Sequence, residues 1–278
     1  MTGLSRSAPA GAQPPHVACD LLNARGAREV LQRVSPDVLI HTQALSDVDR
    51  CEREPETAWA QNVTAVERLV QSLGELKATR PTLLVALSTD YVFDGRKGAP
   101  YAEGDPTNPI NVYGRSKLAA EQAARAWPRA VIVRPSTLFG SGRTNFCDHI
   151  AMRLRAAEPV EAFGDQVTSP TYVEDLAEAI GQLSWRLWRS WDAHGPRVFH
   201  LVNAGGCSRA AFALRIADLL RAPRGLIRVI PMAAQQRPAP RPAYSALTSV
   251  HSTTSIGRIL RPWDEALHAY LQQRHWLN

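Results

Sequence analysis

The apolar run Leu83-Leu-Val-Ala-Leu87 leads directly into Ser88-Thr-Asp-Tyr-Val-Phe-Asp-Gly95. One polar loop later the chain reads Tyr113-Gly-Arg-Ser-Lys117. The first five residues are rich in β formers and bounded by turn-type residues, the pattern of a buried central strand. After Pro109, Asn111 suits a helix N-cap, and Lys117-Leu-Ala-Ala-Glu-Gln-Ala-Ala124 are good helix formers. Tyr113 and Lys117, four apart on a helix, share one face. Thr89 places a hydroxyl at the end of the strand, opposite them.

These three groups suit the reduction of a carbonyl. Hydride arriving at a carbonyl carbon leaves negative charge on oxygen, and a proton must be supplied. A free tyrosine, with a pKa of about 10, is a poor proton donor near neutrality. An adjacent ammonium favours the phenolate and lowers that value. Lys117 can do this for Tyr113, the general acid, while Thr89 hydrogen-bonds and orients the carbonyl. The rival reading is an exposed helical pair of no consequence. Against it, the sequence holds only three lysines, Lys77, Lys97 and Lys117, and one of them falls at this spacing.

A chain of 278 residues can bury a substantial core. Its 45% hydrophobic and 21% charged content is that of a soluble globular protein. The net charge of +6 comes from arginine spread along the chain, not gathered into a stripe, which argues against nucleic-acid binding. A mild positive field would still draw in a diphosphate. Cys19, Cys51, Cys147 and Cys207 lack metal-ligand spacing and read as free thiols; no metal is assigned. No run approaches the roughly 20 apolar residues of a membrane span, and no signal-peptide core is seen, so a cytoplasmic location without membrane contact is expected.

Strands and helices alternate along the first half. Residues 16–22 and 36–41 read as strands, 27–34 and 55–76 as helices, then the 83–87 strand, the Tyr113 helix to Ala126, and the strand Ala130-Val-Ile-Val-Arg134. Alternation of this kind gives a parallel sheet covered by helices, with ligands beyond the carboxyl ends of its strands. Further on, 145–157, 173–191, 208–220 and 263–277 read as helices and 199–203 as a strand. Trp185, Trp188 and Trp191 are assigned to core or interface packing.

The ordered series Ser88-Thr-Asp-Tyr-Val-Phe-Asp-Gly95, Pro100-Tyr-x-Glu-x-Asp105, Pro109-x-Asn-x-Tyr-Gly-x-Ser-Lys-x-x-x-Glu121 resembles the dTDP-4-dehydrorhamnose reductase family, extended short-chain dehydrogenases acting on nucleotide-linked sugars. The resemblance runs in weaker form over nearly the whole chain. It implies an α/β fold, a Rossmann-like doubly wound parallel sheet, with an NADP-binding domain over 1–140. A smaller substrate-binding region would occupy 141–278, with a strand near 198–203 returning to the main sheet. It implies the catalytic triad Thr89, Tyr113 and Lys117. Cofactor contacts fall on Ser5, Arg6, Asp20, Leu21, Gln43, Ala44, Asn62, Ser88, Tyr113, Lys117 and Arg134. Substrate contacts fall on Asp90, Tyr91, Asn145, Phe146, Ser169, Pro170, Thr171 and Arg241. Gln43 stands where relatives carry alanine. Ser5 and Arg6 fall where NADP-using relatives bind the 2′-phosphate, so NADP(H) is favoured over NAD(H). The resemblance implies a nucleotide-linked 4-keto-deoxysugar substrate carried on dTDP, and leaves a homodimer open.

One departure stands out. A dinucleotide site normally opens on a strand, a Gly-x-x-Gly-x-x-Gly turn and a helix N-terminus that receives the pyrophosphate. This sequence has no such turn. Against the family pattern Thr2-Gly-Leu-Ser-Arg-Ser7 matches the second strand, so roughly 20–30 residues of first βα unit are expected to be missing. A misassigned start, a non-catalytic binding or regulatory relative, and a strand supplied by another segment each account for this.

Overall fold

The computed structural model describes residues 1–5, 15–76 and 81–277, which form two compact units. The first comprises Met1–Ser88, Asn111–Val133 and Ser184–Val198. In it β1 (Gly3–Ser5) pairs in parallel with β2 (His16–Ala18). Helix α1 (Ala24–Val34) starts at Asn23, whose side chain accepts from the Gly26 amide and satisfies an orphan donor of the first turn. Strand β3 (Val38–His41) follows, then α2 (Val48–Arg53), capped by Asp47. The expected long helix over 55–76 is real but composite. Pro55 opens α3 (Pro55–Trp59), a π-helical turn spans Ala60–Thr64, and α4 (Ala65–Gly74) completes it. Strand β4 (Leu83–Leu87), α5 (Val112–Arg125) and β5 (Ala130–Arg134) stand where the sequence puts them.

β3, β4 and β5 are consecutive parallel neighbours, and the strand Val198–His200 lies beyond β5. Leu83, Leu84, Val85 and all five residues of β5 are buried. A parallel strand covered on both faces reads as an unbroken apolar run, which is why these two were legible. Leu31, Val66, Leu69, Leu73, Ala120 and Ala124 pack against Leu84, Ala86 and Ile132 as one core. Each fully buried leucine there contributes about 1.5–3 kcal/mol. Among the described residues β1 has β2 as its one sheet neighbour and β3 has β4. A cavity of about 640 Å³ is lined by both edges, with Leu4, Cys19, Leu21, Leu31, Leu39 and Ile40 in its wall. Ile40 is left 43% exposed there.

The second unit comprises Thr89–Ile110, Arg134–Leu183 and Phe199–Asn278. Its short strands pair locally: β6 (Leu138–Phe139) with β9 (Thr171–Tyr172), β7 (Val160–Phe163) with a later strand, and β8 (Val167–Thr168) with another. Between β6 and β7 lies α6 (Phe146–Arg155), and α7 (Val173–Arg189) follows β9. The strand Val198–His200 is β10. Next come β11 (Cys207–Ser208), antiparallel to β8, then α8 (Arg209–Leu219) and β12 (Ile227–Ile230), parallel to β7. Helix α9 (Trp263–Gln273) closes the unit. Phe139, Tyr172, Phe212 and Tyr270 form an aromatic core, with neighbouring ring centroids 5.5–5.7 Å apart.

A single boundary near residue 140 is expected from the sequence, whereas the two units interleave along the chain. The loop after β4 explains the first crossing. Tyr101 donates its amide to the Ala246 carbonyl and accepts from the Thr248 amide, so 89–110 is bound to the later chain. Among the described residues no helix is long and apolar enough to cross a membrane.

Candidate active site

Helix α5 is fixed at its first turn. Asn111 Oδ1 accepts from the Gly114 amide (2.8 Å), and the Val112 amide donates to Glu52 on α2 (2.9 Å). Tyr113, half-buried, and Lys117, 5% exposed, follow at one-turn spacing. The Lys117 ammonium donates to the Leu87 carbonyl at the end of β4 (2.7 Å). Burial lowers its pKa to about 8, with the Glu121 carboxylate opposing the shift. At 5% exposure Lys117 is not one half of a solvated helical pair.

Asn62 sits in the π-helical turn and is 1% exposed. Its amide donates to Ser116 Oγ (2.9 Å) and the Leu45 carbonyl (3.2 Å), and its Oδ1 accepts from the Leu45 amide (2.7 Å). Ser116 in turn donates to the Tyr113 carbonyl (2.8 Å). The extra residue of a π turn, a feature common at functional sites, carries the side chain that locks α5 to the segment after β3. Two residues without an assigned role join this cluster. Ser88 donates to Glu121 Oε1 (2.5 Å), and His41 is 6% exposed with Nε2 lacking a hydrogen-bond partner among the described residues. Glu121 was visible as the last residue of the motif, and His41 as the last of its strand.

The remaining cofactor candidates of this unit are dispersed. Ser5 Oγ lies 2.9 Å from His16 Nε2, and Arg6 lies outside the described residues. Asp20 accepts from the Leu22 amide (2.9 Å), a local turn, while Leu21 packs into the core. Gln43 donates to Gln61 (3.3 Å), and Ala44 is half-buried. A nicotinamide dinucleotide is implied by the family. Lys117 and Tyr113 are donors suited to a ribose, whereas both amide hydrogens of Asn62 are used within the fold. Among the described residues, the wall of the 640 Å³ cavity carries no arginine or lysine, and Asp37 lies in it.

In the second unit Thr89 caps a short 3₁₀ turn (Asp90–Val92). Its hydroxyl accepts from the Tyr91 amide (3.2 Å) and donates to Asp90 (3.1 Å). Asp90, a substrate candidate, is 3% exposed and accepts from Ser136 (2.9 Å) and Ser245 (2.5 Å). Burial raises its pKa, and the three hydroxyls oppose that. Tyr91 is half-buried beside it. Arg134 is 2% exposed with its guanidinium over Phe93, 5.3 Å from the ring centroid. Asn145 caps α6, and Phe146 carries the Arg209 guanidinium on its face at 4.6 Å. Ser169, Pro170 and Thr171 are buried; Ser169 exchanges hydrogen bonds with the Leu247 backbone, and Thr171 donates to the Ser169 carbonyl (3.0 Å). The polar atoms of Asp90, Asn145, Ser169 and Thr171 thus serve the unit's own fold. Arg241, by contrast, lines a cavity of about 240 Å³ with Arg237, Gln235, Met232 and Phe163. Arg237, not singled out from the sequence because its loop is uniformly arginine-rich, stacks on Phe163 at 4.6 Å.

The acidic motif residues are structural. Tyr101 donates to Asp94 (2.8 Å), Lys97 is ion-paired with Asp105 (2.5 Å), and Glu103 accepts from the amides of His200 (3.1 Å) and Val250 (3.0 Å).

Residues 3–275 match the family model of the RmlD substrate binding domain. The chain is 32% identical over 261 residues to the spore coat polysaccharide biosynthesis protein SpsK of Bacillus subtilis, covering 92% of this chain and 86% of that one. It is 36% identical to the dTDP-4-dehydrorhamnose reductase of Mycobacterium tuberculosis, over 89% and 80%. A dTDP-4-dehydrorhamnose reductase crystal structure from Clostridium acetobutylicum superposes with a TM-score of 0.85 at 26% identity, covering 99% and 100% of the chains. One from Bacillus anthracis in complex with NADP gives 0.85 at 25% identity, over 98% of each. With its Tyr113–Lys117 helix, its parallel sheet and a family match over nearly its whole length, the chain belongs to the dTDP-4-dehydrorhamnose reductase family of nicotinamide-dependent sugar-nucleotide reductases.

Proposed function

We propose that this protein reduces the 4-keto group of a deoxysugar carried on a nucleoside diphosphate, dTDP foremost, with NADP(H) preferred over NAD(H), in deoxysugar biosynthesis. The observation that carries the reading is Lys117, buried one helical turn from Tyr113 and donating to the Leu87 carbonyl. The dinucleotide, when bound, supplies hydride to the carbonyl carbon. Tyr113 gives its proton to the carbonyl oxygen, completing the alcohol. Lys117 favours the phenolate left behind and donates to the ribose. Thr89 hydrogen-bonds the carbonyl, releasing its donation to Asp90 to do so. Arg237 and Arg241 suit a diphosphate, since guanidinium groups bind phosphate oxygens bidentately. The names of the relatives and the NADP held by one of them support the cofactor and substrate class.

The test is turnover of dTDP-4-dehydrorhamnose with NADPH and with NADH. Consumption of NADPH, faster than of NADH, is expected, and Tyr113→Phe should lower kcat by about 10²-fold or more. Folded protein that neither binds NADPH nor turns over sinks the proposal. A second reading is a non-catalytic nucleotide-sugar or NADP-binding or regulatory subunit of the same fold. Tyr113→Phe separates the two, because a regulatory effect on a partner would survive it.

A further inference from the structure

On α5, Tyr113, Lys117 and Glu121 follow one another at one-turn spacing on one face. Lys117 and Glu121 are 5% and 2% exposed. Both are tied to the end of β4 at successive residues, Lys117 donating to the Leu87 carbonyl and Glu121 accepting from the Ser88 hydroxyl. Between these side chains and His41 lies a cavity of about 10 Å³, room for about one water. The rest of its wall is apolar, including Val66 from α4, Ala86 from β4 and Ile132 from β5.

An ammonium in such a place tends to lose its proton unless a negative charge opposes the loss. The groups around it narrow the choice. His41, from β3, is itself kept neutral by burial and by Lys117, with its pKa lowered to about 4. Ser88, just after β4, carries no charge. Val66, Ala86 and Ile132 offer nothing. On α5 itself Tyr113 is the group to be tuned, and Arg125 is a cation 3.9 Å from Glu121 Oε2 with its side chain 48% exposed. Among the described residues lining this cavity, Glu121 is the one that supplies a counter-charge.

We propose that Glu121 is a positioning residue that holds Lys117 in its ammonium form, with Ser88 fixing the carboxylate in place. The proposal rests on the reading that Lys117 activates Tyr113. A lysine that lost its proton could no longer favour the phenolate, so Glu121 would set the pH range over which the tyrosine works without itself touching substrate.

Because the sequence holds three lysines, lysine-selective isotope labelling of the full chain gives three side-chain NMR signals to titrate, and Lys117→Met identifies the one that matters. No cofactor or substrate is needed. In Glu121→Gln the Lys117 midpoint should fall by at least one pH unit, a tenfold loss of proton affinity, and Glu121→Asp should restore most of it. An unchanged midpoint in folded Glu121→Gln overturns the proposal. If that variant does not fold, Ser88→Ala decides: a fall of at least threefold in proton affinity is expected, and no fall overturns it. In the active enzyme, the alkaline limb of kcat/KM should move to lower pH in Glu121→Gln by a like amount. Absence of turnover in the unsubstituted chain would count against the reductase reading and leave the NMR result standing.

Discussion

His41 and His200 show what burial does to a single side chain. Burial, aided by the charge of Lys117, takes His41 from the ordinary 6.5 to about 4. Burial also takes His200 to about 4, with Glu103 opposing and Arg134 assisting. Both stay neutral in the fold but protonate readily once unfolded. The unfolded chain therefore binds more protons as the pH falls from 6.5 to about 4, and stability drops through that window. The loss is complete below about 4 and amounts to a few kcal/mol per histidine. Thermal melts across this range should show a steep decline, shallower in His41→Asn; parallel curves for the two proteins would exclude His41 as a contributor. At the site, Tyr113 and Lys117 were legible because their chemistry follows from type and spacing. Glu121 was visible as the last residue of the motif, but its surroundings were not, since they depend on the Ser88 hydroxyl just beyond another element.

Among the elements, helix α5 and the loop before it carry the motif for reasons that are mostly mechanical. Asn111→Ala removes the α5 cap, and urea unfolding should show a loss of about 1 kcal/mol. Asn62→Ala leaves the Leu45 amide and Ser116 without their partner, and a larger loss of about 1–3 kcal/mol is expected in the same measurement. Gly95 has φ +80°, and a Cβ there would meet Pro242 Cβ at 2.7 Å and the Ala243 amide nitrogen at 2.8 Å. Gly95→Ala should therefore destabilise by about 1–3 kcal/mol; a neutral result would mean the turn can open away from Pro242. Strands β4 and β5 were readable as unbroken apolar runs. β7 and β12 were not, being four residues long, with Glu161, Arg228 and Val229 exposed among their buried positions.

Over the whole molecule, the β-structure of the first unit is unevenly protected. β4 has a partner on each side, while among the described residues β1 and β3 each have one and line the same cavity. Amide hydrogen exchange should be slowest in β4 and β5 and at least tenfold faster in β1 and β3; uniform protection would show that the cavity does not weaken these edges. The three tryptophans assigned to core or interface packing have different surroundings. Trp185 is 60% exposed beneath Arg189, Trp188 donates to Asp37, and the ring of Trp191 carries the guanidinium groups of Arg129 and Arg197. The sequence by itself determined the α/β class, the central strands and the Tyr113–Lys117 helix, because periodicity and local spacing encode them, and its ordered motif series carried the resemblance to a reductase family. It also showed the want of a glycine turn. Only the tertiary structure decided that the chain interleaves two units, that Asp90, Asn145 and Ser169 build the fold, and that Glu121, Ser88 and His41 surround the lysine. Those roles depend on burial and on hydrogen bonds between residues far apart in the chain, which no local pattern records.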